Sequence, residues 1–511
     1  MAFPEPSQSG GLTIMQYRKL VVVSNRLPIV LKGFEADGWT IHPGAGGLVT
    51  ALAPVLRDRG GLWIGWLGLR GEVRDKSRID SVIAAESSAM GYALRPVYLT
   101  MDEVEDYYYG FSNKVLWPLF HDLFSRCNFE PHYWSAYQRV NYKFAQSIEE
   151  NTDQNDYIWV HDYHLILVAR ELKKMNVKRR TGFFLHIPFP PLDIFLKLPW
   201  RFEILESLLQ YDLLGFQTIR DLRNFIGCVR VIHGCKTSGR GTVRRILTPG
   251  RETVTGVFPV SIDYDEFARH AESEDVAKMA WTIHENLPNR QLVLGIDRLD
   301  YTKGIPHRLR AFDDVLARYP ELRKKITLIQ IVVPSRIGVE EYESLKKEIE
   351  RMTSEINGRY TDVGWVPIHY IFRTLTRTEL IAYYRTCEIA LITPLKDGMN
   401  LVAKEYCASS LEENGVLILS EFAGAAAQLQ QGALIVNPYD ITNVADTIYR
   451  AFRMDYHERL KGMRILRKKI HWNNAFEWVN SFLKAGIAGE TDDFPPLDFF
   501  IPKPEAAKPL S

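Results

Sequence analysis

Short apolar runs alternate with amphipathic segments along almost the whole chain, and this alternation constrains the fold more than any other feature. Such runs, set between stretches of helical periodicity, are how buried strands of βαβ units read in a parallel sheet. In the first half they are Leu20 to Ser24, Leu62 to Trp66, Tyr157 to Val160, Gly182 to His186 and Leu213 to Phe216. In the second they are Leu292 to Gly295, Ile326 to Val333, Ile389 to Thr393, Val416 to Leu419 and Ala433 to Val436. Helical patterns such as Leu165 to Met175 lie between them. Val339, Tyr342, Leu345, Ile349, Met352 and Ile356 recur every three or four residues with Glu and Lys between, which predicts a helix with one solvated face. The fold class read from the pattern is α/β.

At 511 residues the chain exceeds what one hydrophobic core supports, so at least two domains are expected. Phe258-Pro259-Val260-Ser261-Ile262-Asp263, a proline followed by a helix start, marks the crossover between them. Each half reads as a doubly wound sheet, which makes a cleft between the halves the default site. The last 17 residues hold five prolines and are expected as an irregular tail. A chain 46% hydrophobic and 24% charged, with 63 basic against 62 acidic residues, is an ordinary soluble enzyme by composition. Its net charge of +1 provides no global field for nucleic acid or an anionic membrane, so any anionic partner is small and held by a local cluster. Five cysteines without a CxxC spacing argue against a disulfide framework. The first 18 residues lack the charged start and apolar core of a signal peptide, and no apolar run is long enough for a transmembrane helix. A cytoplasmic location is expected.

Ionisable residues cluster where the apolar runs end. After the first run come Ser24-Asn25-Arg26-Leu27-Pro28 and then Pro43-Gly44-Ala45-Gly46-Gly47-Leu48, whose glycines serve either an anion at a helix N-terminus or plain helix-to-sheet packing. Trp159-Val160-His161-Asp162-Tyr163-His164 and Phe184-Leu185-His186-Ile187-Pro188 bring Asp162 and His186 to strand ends, where a parallel sheet meets its ligand; a merely buried histidine is the alternative at His186. The His-x-x-His spacing has no companion carboxylate or cysteine set, so no zinc site is read. Asp297-Arg298-Leu299-Asp300-Tyr301-Thr302-Lys303-Gly304 places Arg298 and Lys303 at a strand-to-helix turn, suited to a diphosphate unless both are surface cations. Arg298 between the two aspartates opposes a metal there. Pro394 to Glu405 again runs from strand to helix, with turn amides free for phosphate and Asp397 for sugar hydroxyls. Glu405, further into that helix, suits a ribose or a helical salt bridge.

Together these blocks, with Tyr108 through Trp117-Pro118, resemble the trehalose-6-phosphate synthase family of glycosyltransferase family 20, over roughly Leu20 to Phe482 and most closely its single-domain, fungal-like members. The resemblance implies a GT-B fold of two Rossmann-like domains with an intervening cleft. The acceptor domain spans 18–260 with a returning C-terminal helix at about 474–488, the nucleotide-sugar domain spans 261–473, and the Pro-rich tail is 489–511. It implies that Arg298 and Lys303 hold the UDP diphosphate, Glu405 the ribose, and Asp397 with Met399, Asn400 and Leu401 the donor glucose and phosphate. The Gly46-Gly47 loop is similar to the family's mobile donor loop. Asp162 and His186 would face the sugars, while Arg26, Tyr108, Trp117, Asp162 and Arg336 resemble the glucose 6-phosphate pocket.

The activity so implied is retaining transfer of glucose from UDP-glucose to glucose 6-phosphate, giving trehalose 6-phosphate and UDP without a metal or cofactor. Same-face attack is the expected route, with a covalent Asp162 intermediate as the alternative. A homo-oligomer is expected, as is a complex with a trehalose-phosphate phosphatase and regulatory subunits. Asp263-Tyr264-Asp265 opens like the phosphatase nucleophile motif but continues into Glu266-Phe267, so it reads as linker, and the chain ends too early for a phosphatase domain. Two rival readings differ in kind: a sucrose- or glycogen-type transferase, against which the Arg26, Tyr108, Trp117 and Arg336 set argues, and a non-catalytic sugar-phosphate sensor on the same fold.

Overall fold

The computed structural model describes residues 19–32, 40–44, 47–69, 76–239, 241–336 and 339–489, with Phe500 and Pro502. Gly46 and almost all of the proline-rich tail lie outside the described residues. The chain divides into two compact units, one running to Pro259 and resuming at Phe476, the other Val260–Ala475. No helix among the described residues is long and apolar enough to cross a membrane.

The first unit contains, in chain order, β1 (Leu20–Arg26), β2 (Ile29–Lys32), β3 (Thr40–Pro43), β4 (Gly61–Trp66), β5 (Ala93–Val97), β6 (Tyr157–His161), β7 (Arg180–Phe184), β8 (Leu213–Phe216), β9 (Lys236–Ser238), β10 (Val243–Thr248) and β11 (Arg251–Val257). Nine of these form one sheet in the order β5-β4-β1-β6-β7-β8-β11-β10-β9. It is parallel from β5 to β11 and closes in an antiparallel meander, while β2 and β3 form a separate ribbon. The second unit holds β12 (Gln291–Arg298), β13 (Ile326–Val333), β14 (Ile368–Phe372), β15 (Ile389–Ile392), β16 (Val416–Ser420) and β17 (Leu434–Val436), all parallel in the order β14-β13-β12-β15-β16-β17. Strand order reverses direction at β1/β6 in one sheet and at β12/β15 in the other. Such switch points leave a crevice at the carboxyl ends of the strands.

All ten apolar runs of the sequence lie on these strands, with their ends displaced by a few residues. The expected run to His186 stops at Phe184, which frees His186 from the ladder. The helix expected over 165–175 begins as a 3₁₀ turn, Tyr163–Leu165, and becomes α-helical only over Val168–Lys174. The ribbon, the meander, β5 and β14 do not read as strands in the sequence, because polar residues interrupt their apolar positions where part of the surface is exposed. Residues Val104–Leu116 form a π-helix, a wide winding that is rare outside functional sites.

The helix Ala475–Leu483 covers one face of the first unit's sheet. The Phe482 ring stacks on Trp159 at 4.3 Å and 7°, with Phe258 and Phe184 set edge-on at 5.1 and 5.9 Å. Two strand glycines admit it: a Cβ at Gly215 would come within 2.7 Å of the Phe482 ring, and one at Gly182 within 2.9 Å. Trp478 packs on Trp159 and Phe184 at 5.3 and 5.1 Å and lies 6.3 Å from the ring of His161, which is wholly buried. Burial, and secondarily the neighbouring His186, hold the His161 imidazole well below the usual histidine range.

Removing the Phe482 ring leaves a cavity that the β-sheet cannot collapse into. Phe482→Ala is therefore expected to destabilise the first unit by about 3–5 kcal/mol in denaturant unfolding, and a loss under 1 kcal/mol would show that the helix is not anchored there. A histidine with a depressed folded pKa contributes stability above its unfolded value near pH 6.5 that is lost as the pH falls. For His161→Asn, the fall of unfolding free energy between about pH 6 and pH 4 should be shallower than wild type by about 1.4 kcal/mol per pH unit. An unchanged slope would mean that His161 protonates in the folded protein.

Candidate functional site

In the first unit the candidate residues gather at the carboxyl ends of β1, β6 and β7. Arg26 ends β1 with an exposed side chain, and its guanidinium lies 5.0 Å from the Trp66 ring and 5.5 Å from that of Tyr108. Gly68 makes the room, since a Cβ there would approach Arg26 Nη1 to 2.6 Å. The π-helix presents Tyr108, whose ring stacks on His164 at 5.8 Å and 12°. Trp117 follows the π-helix, buried against Tyr163 at 5.7 Å and His121 at 4.3 Å.

Asp162 follows β6 with φ of 75°, a left-handed backbone that a non-glycine residue rarely adopts and that concentrates at functional positions. Its amide donates to the Phe184 carbonyl at 2.8 Å, and its Oδ1 accepts from the His186 amide at 3.2 Å, so the two strand ends are tied together. His161 Nδ1 lies 3.1 Å from His186 Nε2. Burial lowers the His186 pKa to about 3, so both rings are neutral, and one must donate while the other accepts. The other nitrogen of His161, Nε2, is buried with no hydrogen-bond partner among the described residues. A bare acceptor there is the better tolerated of the two tautomers, because backbone-type orphan donors are the rarer case in proteins; this makes Nδ1 of His161 the donor and leaves His186 with its proton on Nδ1.

In the second unit the candidate residues gather at the carboxyl ends of β12, β13 and β15. Arg298 ends β12 exposed, with no hydrogen bond or ion pair to any described residue. Lys303 Nζ lies 2.5 Å from Asp397 Oδ2, which also accepts from Asn400 Nδ2 at 3.1 Å. Asn400, at φ of 76°, caps the helix Leu401–Ser409 by accepting from the Ala403 amide at 3.2 Å. The amides of Leu401 and Val402 at the start of that helix have no intrahelical acceptor. Met399 is buried, its carbonyl taking the Ala425 amide at 2.8 Å. Gly424 is obligatory beside this turn, since a Cβ would meet the Gly398 carbonyl at 1.9 Å. Glu405 accepts from the Tyr384 hydroxyl at 2.8 Å, and burial raises its carboxyl above the ordinary range against that bond.

Both carboxylates flanking Arg298 are committed to arginines. Asp297 Oδ2 lies 2.7 Å from Arg308 Nη1 with both side chains out of solvent. Asp300 Oδ2 lies 3.3 Å from Arg336 Nη1, and Asp300 Oδ1 accepts from the amide and hydroxyl of Thr302 at 2.9 Å each. Although burial pushes Asp300 up, Arg336, Lys303 and Arg298 hold its pKa below the ordinary value. Arg336 also reaches the Tyr342 hydroxyl and lies over that ring at 5.2 Å. The structure thus groups Arg26, Tyr108, Trp117, Asp162 and His186 in one unit, and Arg298, Lys303, Asp397, Met399, Asn400, Leu401, Glu405 and Arg336 in the other. Gly47 opens the helix Gly47–Arg59. Among the described residues no group of three or more histidine, cysteine or acidic side chains is placed to hold a metal.

Sequence reasoning weighed His161 only as half of a His-x-x-His pair and gave no role to Trp66, Trp478 or Arg308. The first two end apolar runs and could have been found as polar or amphipathic residues at strand ends. Trp478 and Arg308 lie on helices, and only the tertiary fold brings them to strand ends.

A sequence model of glycosyltransferase family 20 matches residues 18–486. A trehalose-6-phosphate synthase of Mycolicibacterium smegmatis is 41% identical over 509 residues, covering 98% of each chain. A UDP-forming alpha,alpha-trehalose-phosphate synthase A of Dictyostelium discoideum is 40% identical over 467 residues, covering 91% of this chain and 62% of that protein. Among solved structures, a UDP-forming alpha,alpha-trehalose-phosphate synthase from Burkholderia xenovorans in complex with glucose 6-phosphate superposes with a TM-score of 0.81 at 36% identity, covering 91% of this chain and 99% of that one. An E. coli protein bound with UDP-2-fluoro glucose gives 0.80 at 36% identity, with 91% and 98% covered. The fold is GT-B, and this chain belongs to glycosyltransferase family 20.

Proposed function

We propose that the chain is a UDP-forming alpha,alpha-trehalose-phosphate synthase, which transfers glucose from UDP-glucose to glucose 6-phosphate with retention. The observation that carries this reading is the turn at β12 and β15: an exposed Arg298 with no hydrogen bond or ion pair among the described residues, Lys303 beside Asp397 and Asn400, and helix-start amides with no intrahelical acceptor. These are fixed donors for a diphosphate that gains charge as it leaves, and they need no reorganisation when it does. Lys303 exchanges Asp397 for the diphosphate, Glu405 takes the ribose hydroxyls, and Asp397 with the Met399-Asn400-Leu401 backbone takes the donor glucose. The resemblance to the family assigns the acceptor to Arg26, Tyr108, Trp117 and Arg336. Asp162 and His186 meet the sugars, with His186 offering its Nδ1 proton as a neutral donor.

In this reaction the bond from the anomeric carbon to the UDP oxygen breaks and its electron pair leaves with the diphosphate. The acceptor's anomeric oxygen bonds to that carbon from the same face, and its proton passes to the departing phosphate oxygen. Arg298 and Lys303 supply the charge that a divalent ion supplies in other transferases, and the commitment of Asp297 and Asp300 to arginines supports a metal-independent site.

Incubation with UDP-glucose and, separately, glucose 6-phosphate, fructose 6-phosphate or glucan should give trehalose 6-phosphate and UDP with the first acceptor alone, at an EDTA-insensitive rate. Product from glucan, or none from any acceptor, would overturn the reading; loss on chelation with rescue by a divalent ion would overturn its metal independence. Arg336→Ala is expected to raise the KM for glucose 6-phosphate tenfold or more, about 1.4 kcal/mol, with little change in that for UDP-glucose, because a phosphomonoester uses the guanidinium fork and a neutral sugar does not. Equal losses for donor and acceptor would place Arg336 in a purely structural role, holding Asp300.

A further inference from the structure

At the opposite ends of the same strands, the first unit carries a second concavity that the proposed reaction does not use. A cavity of about 550 Å³ opens between the end of the helix Val168–Lys174 and the amino ends of β7, β8 and β11. Its lining includes five cations, Lys173, Lys178, Arg179, Arg180 and Arg251, and one carboxylate, Asp212. In a chain of net charge +1 this is a concentrated local excess.

The single carboxylate does not neutralise the cavity. Asp212 Oδ2 accepts from the Thr181 amide and hydroxyl at 2.7 and 3.2 Å, and its Oδ1 lies 2.9 Å from Arg251 Nη2. Arg179 and Arg251 are held in place by backbone carbonyls, Asp153 at 3.0 Å from Arg179 Nε and Leu209 at 3.1 Å from Arg251 Nε. Lys173 Nζ donates to Gln210 Oε1 at 2.9 Å. Lys178 and Arg180 make no hydrogen bond or ion pair with any described residue. Three of the five cations are thus held by protein acceptors, and two make no hydrogen bond or ion pair among the described residues. Burial and, after it, the field of Arg251 pull the Lys173 pKa down to about 8 against the opposing field of Asp212.

We propose that this cavity is a binding site for a small phosphorylated metabolite carrying a diphosphate or two phosphates, separate from the sites for UDP-glucose and glucose 6-phosphate. The volume suits a small molecule, and five cations converging on a concavity match several phosphate oxygens at short range. A flat polyanion such as nucleic acid would need a basic surface extending well beyond one pocket. The placement gives the site a line to the chemistry: β7 runs from Arg180 at the cavity to Phe184, two residues before His186.

Inorganic pyrophosphate is the probe. Hydrogen exchange of the full chain, measured against sodium chloride at equal ionic strength, should show protection across Lys173–Thr181. Lys178→Glu/Arg180→Glu, which breaks no contact, should raise the concentration for half-protection at least about tenfold, and Arg180→Gln alone should raise it less. Lys303→Ala should leave it unchanged, which separates this cavity from the donor turn whatever the chain's activity proves to be. Absence of protection at millimolar pyrophosphate, equal protection by chloride, or loss of the effect in Lys303→Ala would overturn the proposal.

Discussion

Arg308 and Asp297 lie 2.7 Å apart with neither side chain reaching water, and the turn that carries Arg298 and Lys303 is fixed to that pair. Removing either partner would strand a charge in a medium that cannot solvate it, which costs about 3–5 kcal/mol in comparable buried pairs. Arg308 spans three strands, bonding Asp297 at the end of β12, Gln330 of β13 at 3.3 Å and Thr393 just after β15 at 3.3 Å. Gly295 makes this possible, because a Cβ there would come within 2.5 Å of the Gln330 amide oxygen and 2.9 Å of Arg308 Nη1. The carboxyl ends of β12, β13 and β15 are therefore pinned to a common planar cation. The turn proposed to hold a diphosphate gains a rigid base from this buried pair.

Both units solve the same problem in different ways. A strand buried on both faces has room for polar side chains only where its ladder ends, and there the chain must turn sharply to aim them. Asp162 and Asn400 both do so through a left-handed backbone, at φ of 75° and 76°, and Arg336 lies at 48°. In the first unit the rigid base is neutral, a pair of histidines under a tryptophan; in the second it is ionic. The neutral base fits the proposal that this end meets sugar hydroxyls. The ionic base suits a site where charge develops.

The strands and their order of appearance were legible because the parallel sheet buries both faces of its strands, and continuous apolar runs such as Ile326 to Val333 have no other soluble explanation. The strand-end residues Asp162, His186, Arg298 and Lys303 were legible for the same reason, since ionisable groups ending such runs stand out. The antiparallel end of the first sheet was not, because Lys236–Ser238 and Val243–Thr248 mix polar residues into partly exposed strands and look like loop. The π-helix that aims Tyr108 was not, since no local signal distinguishes its winding from an α-helix. Arg308 lies ten residues beyond Arg298 in an amphipathic helix, where an arginine reads as surface. Only the small space at Gly295 hints that its side chain turns inward.

The glycine-lined groove that receives Phe482 sets the order in which the molecule can be completed. Trp159, Phe184 and Phe258 belong to the first half of the chain, and the ring that covers them comes from the far side of the second unit in sequence. During synthesis the first sheet leaves the ribosome with an uncovered aromatic face, and it stays so while more than 200 further residues are made, a count read from Phe258 to Phe482. His161 lacks the cover of Trp478 for that interval, because the tryptophan belongs to the same late helix. The core of the first unit is thus closed only after the whole of the second has been translated.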